Sequence, residues 1–100
     1  MRLITTIIDS QHADETGVER FAQAMNAKLS KKRKEGMHGW NLTHGERGSE
    51  WGCTVRDLET MLRQHIAKGD VVDVANFCMM IWNRRNPRGI NEALGRGRKE

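Results

Sequence analysis

Apolar residues recur at helical spacing over most of the chain. Val18, Phe21, Ala22, Met25 and Leu29 share one helical face, which predicts a first helix over about 17–35. Thr16-Gly17-Val18-Glu19 has the form of a capping box at its start, and Gly36 is its stop. Val55, Leu58, Leu62, His65 and Ile66, with Met61 beside them, form one face of a second helix over about 54–68. Thr54-Val55-Arg56-Asp57 has the form of its cap. The third helix, over about 70–85, has another character. Ten of the twelve residues from Val71 to Trp82 are apolar, and only Asp73 and Asn76 interrupt them. A helix apolar nearly all round is a central, buried element. Gly69 ends the second helix and Asp70 caps the third, so short a connection that the two form an antiparallel hairpin. Asn86-Pro87 closes the third helix, because the residue before proline avoids helical backbone.

The remaining segments lack that period. Residues 1–13 carry Leu3, Ile4, Ile7 and Ile8 among threonines and read as a short strand or an extended arm. Five of the seventeen positions from 36 to 52 are glycine, interspersed with His38, Trp40, His44 and Trp51. Such a long irregular loop in a compact domain is functional or disordered. Residues 86–100 read as a basic, solvated tail with a short helix near 90–94. The expectation is an all-α fold: one domain over 1–85, three to four helices in a bundle around a central hairpin. A Gly/Trp-rich loop precedes the hairpin, and a short extended arm opens the chain.

Composition narrows this little. One hundred residues make one domain. The longest apolar run, Phe77 to Trp82, is far short of the roughly twenty residues a membrane-spanning helix needs, so the chain reads as soluble and cytoplasmic. Cys53 and Cys78 form no CxxC pair, and Cys78 reads as a small buried thiol. His38, His44 and Cys53 are too few and too irregular for structural zinc. The formal charge of +4 favours phosphate-bearing partners, whether nucleotides or nucleic acid.

Chemistry concentrates in two places. Asp70, Asp73, Asn76, Phe77 and Met80 fall on one side of the third helix. Two carboxylates three apart can converge on one hard cation such as Mg²⁺. Alternatively, Asp70 only caps the helix and Asp73 only favours its N-terminal dipole. His65 on the second helix is either a core histidine or a hydrogen-bond partner of Asp73. The second place is the basic cluster Lys28, Lys31, Lys32, Arg33 and Lys34, followed by Trp40. It suits a triphosphate with a base stacked on Trp40, a nucleic-acid backbone, or simply a solvated helix end.

The stretch "GDVVDVANFCMMI", with the preceding helices and "KLSKKRKEGMHGW", resembles the MazG-like all-α nucleoside triphosphate pyrophosphohydrolases over about residues 18–84. Within that superfamily it is most similar to short phage and bacterial dATP/dGTP pyrophosphohydrolase-like proteins. The resemblance implies a cytoplasmic phage protein in a bacterial host, a dimer or tetramer. It also implies Mg²⁺-dependent hydrolysis of purine deoxynucleoside triphosphates to monophosphate and pyrophosphate. On that reading Asp70 and Asp73 are catalytic and hold the metal, with Glu59 contributed by a partner chain. Lys28, Lys31, Lys32, Lys34, Trp40 and Asn76 meet the nucleotide. The family's first acidic motif, ExxE, is missing, because Thr60 and Leu62 stand where carboxylates would follow Asp57 and Glu59. Hairpin geometry sharpens the gap. Glu59 lies nine residues before Lys68, about 13 Å along the axis, at the level of Met80, whereas His65 faces Asp73. Beside Arg63, Glu59 reads as half of an exposed ion pair. A non-catalytic protein on the same scaffold, binding a nucleotide, nucleic acid or a host protein, is the alternative.

Overall fold

The computed structural model describes residues 2–42 and 52–95; His44 and Trp51 lie outside them. Among the described residues the fold is all-α, with no strand and no helix long and apolar enough to cross a membrane. The described residues form four helices in order: α1 Arg2–Lys34, α2 Val55–Lys68, α3 Val71–Arg85 and α4 Pro87–Ala93. Thr54 and Asp57 cap α2 reciprocally: the Thr54 hydroxyl accepts from the Asp57 N–H, and the Asp57 carboxylate accepts from the Thr54 N–H, both at 3.0 Å. Gly69 turns the hairpin in left-handed backbone, φ 78°, and its N–H bonds to the carbonyls of His65 and Ile66. Asp70 then caps α3 by accepting from the Asp73 N–H at 3.0 Å.

The start of the chain departs from the expected extended arm. Residues 2–13 belong to α1, which runs unbroken through Thr16 and Gly17, so the capping box there is not used. Leu3, Ile4, Ile7 and Ile8 already repeat at three and four residues, and no proline or glycine intervenes before Gly17. The β-branched threonines among them conceal that period. The second difference is at α4, which begins at Pro87 because proline suits the first turn of a helix.

Helix α3 is central: α1, α2 and α4 all pack on it, whereas α1 and α2 do not pack on each other. It is not buried throughout. Val71 is 67% and Trp82 65% exposed, and Cys78 is exposed too, contrary to the expected buried thiol. These residues share the stripe that neither α1 nor α2 covers. The firm core is correspondingly small, with Leu58 at 1% exposure and Ile81 beside it in rank. All residues from 6 to 24 are exposed, so the first half of α1 projects from the body while its second half packs on α3.

Candidate functional site

A cavity of about 510 Å³ fills the space left between α1 and α2. Lys28, Leu29, Lys32 and Arg33 of α1 form one wall, and Leu58, Met61 and His65 of α2 form the opposite one. Asp73, Asn76, Phe77 and Met80 of α3 form its floor, and residues 37–41 and Cys53 its rim. The side of α3 predicted to combine Asp73, Asn76, Phe77 and Met80 is thus the side that meets the cavity. Helical spacing explains the α1 wall as well, since 28, 29, 32 and 33 continue the face that carries Met25. Lys31 and Lys34 point elsewhere on α1 and do not line the cavity, and Arg33, absent from the predicted ligand set, does. Trp40 is at the rim.

Asp73 is 14% exposed and has two basic neighbours. The Lys28 Nζ lies 3.5 Å from its Oδ2 and 3.1 Å from Asp70 Oδ2, so one ammonium joins both carboxylates. The Asp73 N–H and then the Lys28 ammonium hold the Asp70 carboxyl down at about 2. In return the hydrogen bond to Asp70 raises the Lys28 ammonium above its usual range. From α2, His65 Nε2 stands 3.8 Å from Asp73 Oδ2, at the level the hairpin predicts. That distance is too long for the expected hydrogen bond. His65 Nδ1 is 2.8 Å from the Met61 carbonyl, which can only accept, so Nδ1 carries the proton. The ring lies tilted against Phe77, centroids 4.8 Å apart.

Asn76 is 3% exposed, and its Nδ2 donates to the Met25 carbonyl at 3.3 Å, tying α3 to α1. Its Oδ1 accepts no hydrogen bond. Arg84 secures the rim from below: its Nη1 donates to the carbonyls of Trp40 at 2.9 Å and Cys53 at 2.6 Å. The Cys53 N–H closes the same base on the Leu42 carbonyl. Burial pushes the Cys53 thiol up, against the opposing pull of Arg84. Arg84 lies one turn beyond Met80 on the cavity side of α3, a position that helical spacing gives but no motif marks.

Within one chain Glu59 is not part of this site. It pairs with Arg85 at the far end of the hairpin rather than with Arg63, because Arg85 is its neighbour across the two helices. Among the described residues no group of three or more acidic, histidine or cysteine side chains converges as a metal site. Two carboxylates would suffice as the protein's share of a Mg²⁺ shell, so their number is not decisive. Their occupancy is: an ammonium already bridges Asp70 and Asp73. The side chains as arranged do not fit Mg²⁺.

No family model, curated protein or solved structure matches the chain.

Proposed function

We propose that this chain is a nucleoside triphosphate-binding protein on a scaffold resembling the MazG-like pyrophosphohydrolases, with the nucleotide in the cavity between α1 and α2. The supporting observation is the meeting of three cations, Lys28, Lys32 and Arg33, with Trp40 and the Phe77 and Met80 side chains of the floor around one space of about 510 Å³. A volume of that order suits a cofactor-sized ligand. The cations take the phosphates, and Trp40 and Phe77 offer faces to the base. Purine deoxynucleotides are the form the resemblance carries, as is a dimer or tetramer, which sedimentation of the full chain tests.

Hydrolysis to monophosphate and pyrophosphate is the second reading. The place of Asp73 on the cavity floor favours it, and the Lys28 bridge counts against it. One assay separates the two: equilibrium binding of deoxynucleoside triphosphates, with monophosphate and pyrophosphate measured in the same samples with Mg²⁺. Binding without product supports the first reading, and product formation that Asp73→Ala abolishes supports the second. Neither binding nor product removes both.

A further inference from the structure

The cluster of Lys28, Asp70 and Asp73 joins the last turns of α1 to the first turn of α3. We infer that the Lys28 ammonium stands in for a divalent cation, so that the cavity takes the polyphosphate of a nucleotide without metal. The inference rests on the reading of the cavity as a nucleotide site.

Two carboxylates beside a polyphosphate repel it unless a positive charge lies between them. Lys28 supplies that charge from the protein itself, within 3.1 Å of one carboxylate and 3.5 Å of the other. A Mg²⁺ ion bound at about 2.1 Å from the same oxygens would stand against the ammonium, like charge on like, until Lys28 left. A hydrogen bond between the two helices stands beside Lys28. Met25, one turn earlier on α1, accepts from Asn76, one turn later than Asp73 on α3. The two helices are therefore fixed to each other beside the ion pair. An ammonium carries three donors; with two directed at Asp70 and Asp73, one is left for a phosphate oxygen. Lys32, itself 4.0 Å from the Glu35 carboxylate, and Arg33 stand on the same wall and add positive charge beside the carboxylates.

Binding of fluorescent mant-dATP to the full chain tests this, in EDTA and in Mg²⁺, for the wild type, Lys28→Ala and Lys28→Arg. Wild-type affinity is expected to agree within about twofold between the two buffers. Lys28→Ala, with its helicity checked by circular dichroism, is expected to bind roughly tenfold more weakly or worse in EDTA, the equivalent of about 1.4 kcal/mol. Lys28→Arg, which keeps the charge, is expected to retain metal-free binding. Binding by the wild type only in Mg²⁺ overturns the inference and leaves the nucleotide reading standing. Lys28→Ala binding like the wild type in EDTA overturns the role of Lys28. No binding in either buffer overturns both the inference and the reading beneath it.

Discussion

Lys28 and Asp73, 45 positions apart, meet with the Nζ 3.5 Å from Oδ2, and the same ammonium reaches Asp70 at 3.1 Å. A carboxylate on so apolar a helix needs a partner, and the partner comes from α1 rather than from the helix across the hairpin. This contact brings the basic end of α1 to the acidic start of α3 and sets one wall of the cavity against its floor.

The Asp70 carboxyl is held at about 2, below its ordinary 3.8, by the Asp73 N–H and Lys28. A lowered carboxyl adds stability that is present above the ordinary value and is lost as pH falls toward 2. Melting temperatures measured from neutral pH downward should fall through that window. In Asp70→Asn the fall should be shallower, and the variant less stable at neutral pH. Lys28 has the opposite sign. Its raised ammonium adds stability that is full below 10.5 and is lost as pH rises through its higher folded value.

Gly69 adopts φ 78° with open space where a Cβ would stand. Gly69→Ala should therefore cost only backbone strain, about 1 kcal/mol, read from urea denaturation with an unchanged slope. A much larger loss would mean that the turn is packed against something.

Leu58 is the most buried side chain and one wall of the cavity. Leu58→Ala should destabilise by roughly 2–5 kcal/mol, the range for truncating a fully buried leucine. Denaturant titration provides the value.

Arg84→Met removes the donor shared by the Trp40 and Cys53 carbonyls. The expected result is a red-shifted tryptophan emission and faster proteolysis near Trp40, with α-helical circular dichroism unchanged. Loss of helicity instead would show that Arg84 supports α3 itself.

The hairpin is legible in the sequence because every signal there is local: a capping Thr, a left-handed Gly, a capping Asp and uninterrupted period on either side. The same period places Asp73, Asn76, Phe77 and Met80 together, and it sets His65 opposite Asp73. What stays illegible is long-range. No spacing rule says that Lys28 rather than Lys31 reaches across 42 residues to Asp70; that depends on which face of α1 packs on α3. Glu59 is misread for a related reason, since a plausible partner four residues on conceals Arg85, 26 residues on. The start of α1 is obscured by β-branched residues in a helix whose residues 6–24 are all exposed.

The central claim is that the cavity, and not the basic surface at large, takes the nucleotide. Amide and side-chain chemical shifts of the isotopically labelled full chain, titrated with dATP, test it most directly. The account predicts perturbations at Lys28, Lys32, Arg33, Trp40, Asn76 and Phe77, with Lys31, Lys34 and residues 6–20 left in place. Shifts spread over Lys31, Lys34 and α4, with none at Asn76 or Phe77, would contradict it.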